Sequence, residues 1–296
     1  MILANGALRA QVEPDWGGAL VRFERTAGGV AQPLFRPWRP EPDDSSMPPD
    51  PNRLACYPLL PWSNRISRGG FVCEGRRIEL QRNRSDEPWP IHGSGWQRPW
   101  RVEDSGEDYA LLSLEEFARD GYCYRASLQY LLGADALDVR LSATNTGPWT
   151  LPFGLGLHPF FPRDADTRLY APAREVWLND GRTPLPRQLA PVPERWRFGG
   201  ARPLPGDCVD HGFAGWSGEA WICWPRRGLR LELRADVERF VLYTPTDADY
   251  FCFEPVDHAI DAVNLPGGAG VHGMTLLASG QSLHRQFRFS VRDDAG

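Results

Sequence analysis

The chain contains no lysine, so arginine supplies all 33 of its basic side chains. This absence excludes a Schiff-base lysine, a P-loop lysine and a lysine general base. The net charge is −5 and no block of basic residues is present. An acidic chain of this kind argues against nucleic acid as a partner.

Disulfide and zinc motifs, a leader and long apolar runs are also missing. The six cysteines form no C-x-x-C pair, have no zinc-site spacing with histidine, and are expected to be scattered reduced thiols. No histidine pair has close-ligand spacing, so we predict no metal. The N-terminus lacks a basic leader and no stretch could span a membrane. We therefore expect a cytoplasmic protein without a membrane partner.

Alternation of apolar and polar residues is the dominant pattern, and it is typical of β-strands. Residues 229–237 and 283–291 are two such segments. Residues 124–130 and 137–143 alternate on either side of a turn at residues 133–135, which predicts a hairpin. No segment has an amphipathic helical pattern of three turns.

Two proline-rich regions interrupt this pattern. Residues 33–61 hold nine prolines and residues 184–205 hold six. Because proline blocks central strand pairing, both are predicted to be long ordered loops crossing a sheet. Residues 115–119 are predicted to form one short helical turn. Strand patterns resume without a linker, so we expect residues 1–296 to form one all-β domain of stacked antiparallel sheets.

Glu254 lies inside the aromatic run of residues 250–256, which predicts a buried strand. Burying an ionised carboxylate costs several kcal/mol unless the charge is paired or hydrogen-bonded. Two interpretations follow: Glu254 forms a structural ion pair with an arginine, or it has a catalytic task.

His158 is the only titratable group in the apolar residues 151–161. It is either a histidine satisfied within the core or a second acid–base group. Together, Glu254 and His158 supply one group of each type that general acid–base catalysis requires.

Three further positions suit ligand binding. Asn64 and Arg65 follow a proline-aromatic run and offer forked donors, unless Arg65 is simply a surface arginine. His92 precedes Gly93, and flanking glycines let the backbone approach a ligand, although an incidental turn histidine is equally consistent. Asp210 would accept hydrogen bonds from a ligand hydroxyl, but its own segment predicts a turn.

Other motifs carry less weight. Residues 268–273 match G-x-G-x-x-G, but residues 274–277 predict a strand where a dinucleotide site requires a helix, so we reject that site. Most tryptophans are expected in the core, and Trp62 and Trp96 are the two best placed to stack on a ligand.

The ordered set of short motifs resembles the aldose 1-epimerase (galactose mutarotase) family. The resemblance spans nearly the whole chain through the segments Asn64-Arg65-Ile66, His92-Gly93, His158-Pro159-Phe160, Asp210-His211-Gly212-Phe213, Phe253-Glu254-Pro255 and Met274-Thr275-Leu276-Leu277. It implies a β-supersandwich and a cofactor-free interconversion of the α and β anomers of an aldose.

The resemblance also implies roles for the site residues. Glu254 matches the base that takes the anomeric proton, and His158 matches the acid at the ring oxygen. His92 matches a second histidine that polarises the same region, while Arg65 with Asn64, and Asp210, match the groups that hold sugar hydroxyls. With a protonated histidine, a bell-shaped pH profile is expected, its lower limb from Glu254 and its upper limb from His158.

Some positions depart from the better-known galactose enzymes and leave the substrate open. The segment before His158 is leaner, and Trp62-Ser63 replaces the usual tyrosine–alanine, which is closer to uncharacterised bacterial branches. One alternative is a non-catalytic carbohydrate-binding module on the same fold. Another is a mutarotase for phosphorylated or sulfonated sugars, whose anion site would use an arginine among Arg36, Arg39, Arg53, Arg82 and Arg84. Oligomeric state is not predicted.

Overall fold

The computed structural model describes residues 1–40, 48–118 and 121–294, and nearly all of their regular structure is β-strand. These described residues contain no α-helix, and their helical turns are five short 3₁₀ segments: Pro51–Arg53, Gly95–Gln97, Glu194–Trp196, Pro225–Arg227 and Ala262–Asn264. Within the described part of the chain, no helix has the length and apolar character needed to cross a membrane.

The strands are short and follow one another closely along the chain. In chain order they are β1 (Ile2–Asn5), β2 (Leu8–Glu13), β3 (Ala19–Ala27), β4 (Val30–Pro33), β5 (Cys56–Leu59), β6 (Gly70–Cys73), β7 (Arg76–Glu79), β8 (Arg101–Ser105), β9 (Tyr109–Phe117), β10 (Cys123–Leu132), β11 (Ala136–Asn145), β12 (Leu151–Phe153), β13 (Gly156–Pro162), β14 (Arg168–Tyr170), β15 (Glu175–Leu178), β16 (Gln188–Pro191), β17 (Arg202–Pro203), β18 (Val209–Ala214), β19 (Glu219–Trp224), β20 (Leu229–Ala235), β21 (Arg239–Thr244), β22 (Tyr250–Val256), β23 (Thr275–Leu277) and β24 (Ser282–Asp293).

Two large antiparallel sheets form the body of the fold. The first has eleven strands in the order β1-β2-β3-β5-β13-β22-β21-β18-β15-β16, with β4 paired to β3. The second has nine strands in the order β17-β14-β19-β20-β24-β11-β10-β9-β8, and two small ribbons pair β12 with β23 and β6 with β7. The predicted all-β architecture of stacked antiparallel sheets is confirmed.

Strand β22 is buried on both of its faces, and this places the site. Because successive side chains point to opposite faces, Phe251 and Phe253 enter the main core, where Phe253 stacks on Phe240 with centroids 4.4 Å apart. Cys252 lies in a second apolar cluster, which also contains Trp96. Glu254 alternates with Phe253 and therefore belongs to the face of that second cluster.

The hairpin prediction is confirmed by β10 and β11, in which Leu128 pairs with Leu141. The strand predicted at residues 274–277 is confirmed by β23, and all six cysteines are unpaired, as predicted.

The helical turn predicted at residues 115–119 is wrong. Glu115 pairs with Arg125 inside the β9–β10 ladder, so cross-strand pairing decides the conformation there. Residue 119 lies outside the described residues.

The proline-rich regions are loops only in part. The first contains β5, which places Pro58 between two strands, and the second contains β16 and β17. Strand β5 meets β3 through the single pair Leu20–Cys56, so Pro58 faces no continuous ladder on that side. This short pairing explains how a proline is tolerated there. Residues 41–47 of the first region are outside the described residues.

Candidate active site

A cavity of about 260 Å³ opens over the β13-β22-β21-β18 part of the eleven-stranded sheet. Strand side chains form its floor, and the loops carrying residues 64–65 and 84–96 form its wall. All six residues singled out from the sequence line it. The complete lining is Asn52, Asn64, Arg65, Arg84, Glu87, Ile91, His92, Trp96, His158, Phe160, Asp210, Tyr243, Tyr250 and Glu254.

Glu254 and His158 meet at the floor of this cavity. In the β13–β22 ladder Gly156 pairs with Val256 and Phe160 with Cys252, so His158 stands at the level of Glu254. His158 Nε2 lies 3.3 Å from Glu254 Oε1, and both side chains are buried. Sheet register therefore brings the two predicted acid–base groups into contact across 96 residues of sequence.

Within the described residues, no arginine lies within salt-bridge distance of Glu254, which removes the arginine ion-pair interpretation. In the same part of the chain, Glu254 Oε2 and His158 Nδ1 are buried without a hydrogen-bond partner. Buried polar atoms are rarely left unpaired, and Glu254 lines the cavity, so its Oε2 is open to a hydroxyl group or a water that enters there.

Burial sets the protonation of this pair. Desolvation, reinforced by the charge of Asp210, raises the pKa of Glu254 well above its ordinary value. Desolvation lowers the pKa of His158 to about 3. Together the two shifts favour the form of the pair in which Glu254 carries the proton and His158 is neutral. The expected arrangement was a protonated His158 beside an ionised Glu254, and these shifts favour the opposite distribution because both charged forms lose hydration there.

His92 and Asn64 join the two loops that form the wall. Asn64 N–H donates to His92 Nδ1 at 2.9 Å, and His92 N–H donates to Asn64 O at 3.0 Å. The accepting Nδ1 leaves the proton of the neutral ring on Nε2. Both residues have a positive φ, 56° for Asn64 and 61° for His92. Left-handed non-glycine residues carry backbone strain and cluster at functional sites.

Arg65 is held by a partner that the sequence does not reveal. Its Nε donates to Glu87 Oε2 at 2.9 Å and its Nη2 to Glu87 Oε1 at 2.5 Å, a bidentate pair. Burial alone lowers the pKa of Arg65, but the bonds and charge of Glu87, with the charges of Asp210 and Glu254, raise it overall. Arg65 is thus a partly buried, anchored cation.

Asp210 lies in strand β18 opposite Tyr243 of β21, so the turn predicted for its segment is wrong. The strand forms because cross-strand pairing with β21 outweighs the local turn preference of its aspartate and glycine. Burial raises the pKa of Asp210, Arg65 opposes this, and Glu87 adds to it. Its half-buried carboxyl group lines the cavity and accepts no hydrogen bond from the described residues.

Aromatic rings support the histidines, and sequence reasoning missed most of them. His158 stacks on Phe160 with centroids 4.7 Å apart and lies 4.6 Å from Tyr57. Trp96 lines the cavity as expected, whereas Trp62 packs on Tyr122 and is absent from the lining. The aromatic residue two positions after His158 was a usable signal for Phe160, because alternate strand residues share a face.

Of the five arginines considered for an anion site, Arg84 alone lines the cavity. Its guanidinium is paired with Asp50 at 2.8 Å and Asp86 at 2.7 Å. Arg36 instead lies over the rings of Phe160 and Tyr250, 4.1 and 4.3 Å from their centroids. In the described part of the chain, no group of three His, Cys, Asp or Glu side chains could hold a metal ion.

Known proteins share both the sequence and the fold. A family model described as aldose 1-epimerase matches residues 2–290. The uncharacterised protein YphB of Escherichia coli K12 is 35% identical over 299 residues, covering 98% of this chain and 97% of YphB. YihR of the same organism, also uncharacterised, is 27% identical over 189 residues, covering 60% of this chain and 61% of YihR.

Solved structures agree with the sequence comparison. An E. coli K12 crystal structure provisionally described as an aldose 1-epimerase has a TM-score of 0.88 and 32% identity, covering 99% of this chain and 98% of that one. Galactose 1-epimerase from Lactobacillus acidophilus has a TM-score of 0.77 at 18% identity, covering 99% and 93%, and so shares the fold. Since the family model spans nearly the whole chain, this protein belongs to the aldose 1-epimerase family.

Proposed function

We propose that this protein is a mutarotase that interconverts the α and β anomers of an aldose, with Glu254 and His158 as its proton-transfer pair. One observation carries the proposal: the contact of 3.3 Å between His158 Nε2 and Glu254 Oε1 on the floor of a cavity. The cavity, about 260 Å³, is smaller than the roughly 300–1,000 Å³ typical of drug-sized ligands. This size suits a monosaccharide.

Ring opening requires two proton transfers. The Glu254 carboxylate takes the proton of the anomeric hydroxyl, the C1–O5 bond breaks, and the ring oxygen takes a proton from His158 Nε2. The free aldehyde rotates about the C1–C2 bond and closes on its other face by the reverse transfers. No proton is gained or lost overall, so the pair works with a single proton.

The pKa shifts of Glu254 and His158 fit this cycle. After ring opening Glu254 carries the proton and His158 is neutral, which is the distribution that burial favours. To begin ring opening, the proton moves from Glu254 Oε1 to His158 Nε2 across their contact. The pair therefore interconverts its two forms without exchange with solvent.

The remaining lining groups suit sugar hydroxyls. In this proposal Arg65 and Asp210 hold hydroxyl groups as donor and acceptor, Asn64 supports Arg65, and the Nε2–H of His92 polarises the reacting region. Arg65 is neutralised by Glu87 and Arg84 by Asp50 and Asp86, so the described lining offers no unpaired cation. This charge balance favours a neutral aldose over a phosphorylated or sulfonated one.

Replacing Glu254 by glutamine tests the proposal. Glu254→Gln keeps the shape of the side chain but cannot accept the anomeric proton, so we expect mutarotation to fall by about 10²–10⁴-fold. Sugar affinity should change little, because the hydroxyl-binding groups remain. Anomer exchange followed by polarimetry or NMR, over a panel of neutral, phosphorylated and sulfonated sugars, measures the rate.

Glu116→Gln is the matched control, since Glu116 is a buried glutamate paired with Arg98 outside the cavity. It should keep the wild-type rate. Wild-type rates in Glu254→Gln would reject the role of Glu254. Sugar binding by the wild-type protein without any accelerated exchange would instead support the non-catalytic binding module.

A further inference from the structure

We propose that Glu87 is a positioning residue of this site, which orients the Arg65 guanidinium toward the sugar and balances its charge. This inference rests on the proposed function and deepens it. Glu87 lies in the loop between β7 and His92, and its carboxylate lines the cavity. No motif assigns it a role, because its partner lies 22 positions away.

The hydrogen bonds of Arg65 show what Glu87 orients. A guanidinium has five N–H groups in a rigid fork. Glu87 accepts the bonds of Nε and one Nη2 hydrogen, and Asn64 Oδ1 accepts one Nη1 hydrogen at 3.3 Å. Two N–H groups remain, one on each terminal nitrogen. Arg65 lines the cavity, so we infer that these two N–H groups are the ones available to a sugar hydroxyl.

The backbone around this pair is built to hold it. Arg65 forms an isolated antiparallel bridge with Ile91, and Ile66 N–H donates to Pro90 O at 3.1 Å. Next to this bridge, Asn64 N–H donates to the His92 ring and His92 N–H donates to Asn64 O. The Arg65–Glu87 ion pair therefore joins the side chains of the same two loops that position His92.

Charge is the second part of the role. Arg65 stands near three carboxyl groups, those of Glu87, Asp210 and Glu254, and each of them raises its pKa. Arg65 in turn lowers the pKa of Asp210 and Glu254. Glu87 balances the Arg65 charge through its bidentate bonds. Without Glu87, that charge would act more fully on Glu254 and favour its ionised form.

Glu87→Gln tests both parts in the full-length protein. Loss of the charge-assisted pair releases the guanidinium, so we expect KM for the sugar to rise about ten- to a hundredfold with a smaller change in kcat. The alkaline limb of the kcat/KM profile should move to lower pH, because Glu254 loses its proton more readily. Glu87→Asp, which keeps the charge, should restore the position of that limb.

Asp86→Asn is the control, because Asp86 is an exposed neighbour in the same loop and Arg84 keeps Asp50. It should leave KM and the profile unchanged. Wild-type KM and an unmoved limb in Glu87→Gln would overturn the inference. An equal shift in Asp86→Asn, or a lower unfolding midpoint with an unmoved limb, would also overturn it. A wild-type protein that accelerates no sugar's anomer exchange would reject the proposed function itself.

Discussion

At the scale of single residues, burial is the main determinant of acid–base behaviour in the cavity. A carboxyl group and an imidazole in contact there shift in opposite directions, Glu254 upward and His158 downward, because each loses hydration in its charged form. In a pH profile of kcat/KM, the acid limb is therefore assigned to His158 and the alkaline limb to Glu254. This is the reverse of the assignment expected from the sequence. Since the two groups are coupled, the profile reports the pair.

The pH dependence of mutarotation follows from these directions. We expect kcat/KM to fall on the alkaline side as Glu254 loses the pair's only proton, at a pH well above the ordinary pKa of a glutamate, and to fall on the acid side near pH 3 as His158 gains a second proton. Anomer exchange measured from about pH 3 to about pH 10 gives the profile. ¹³C NMR of the Glu254 carboxyl group should show it protonated where exposed glutamates are ionised. A charged His158 at neutral pH in the unliganded protein would contradict this assignment.

At the scale of elements, the site depends on how loops are held against strands. The loop of residues 60–67 pairs with the loop of residues 83–93, and Gly93 closes that junction. Gly93 has a φ of +66°, and a Cβ there would lie 2.1 Å from Leu60 O. Only glycine fits this approach, so the residue after His92 is dictated by packing.

His258 holds the loop of residues 60–67 through a hydrogen bond that requires its neutral ring, so this contact depends on pH. Its Nε2 accepts Ser63 N–H at 3.0 Å and its Nδ1–H donates to Ala259 O at 2.8 Å. Burial lowers its pKa to about 4 from the ordinary 6.5. The folded protein binds fewer protons than the unfolded chain in this window, so stability is present above pH 6.5 and is lost as the pH falls toward 4.

We therefore expect His258→Gln to flatten the acid side of the stability curve. The shift of the pKa corresponds to a difference on the order of 3 kcal/mol between pH 7 and pH 4. Denaturant unfolding at a series of pH values measures it, and exposed His284→Gln is the control. Equal pH dependence in His258→Gln and wild type would show that His258 contributes nothing to acid unfolding.

At the scale of the whole molecule, the sandwich core supports the site from behind. Phe253 precedes Glu254 in β22 and enters the core between the sheets, stacked on Phe240 and 5.5 Å from Trp216. The two faces of one strand thus serve stability and chemistry separately. The expectation that residues 1–296 form one domain stays a prediction.

Truncation of Phe253 should destabilise the whole fold. Phe253 is fully buried, and Phe253→Ala leaves a cavity in the core, so we expect a loss of about 3–5 kcal/mol in the free energy of unfolding. Phe117→Ala is the matched control, because that ring is 74% exposed and its loss should change stability by less than about 0.5 kcal/mol. Chemical denaturation gives both values. A small effect at Phe253 would mean that the surrounding aromatic rings close the space.

By itself, the sequence determined the β-architecture, the buried strand at Glu254, and six of the fourteen residues that line the cavity. These features are local: alternation at period two and a charged group in an apolar run are visible in a few consecutive residues. Glu115 and Asp210 were misassigned because strand pairing overrode local preference.

The tertiary structure alone decided which groups touch. The contact of His158 with Glu254 depends on the register of β13 against β22, and the Arg65–Glu87 pair depends on two loops meeting. Both involve residues far apart in the chain. The tertiary structure also decided the pKa shifts of Glu254 and His158, because the pKa of a group depends on its burial and neighbours. That is why the pKa of Glu254, visible in the sequence only as a carboxylate among aromatics, is raised in the folded protein.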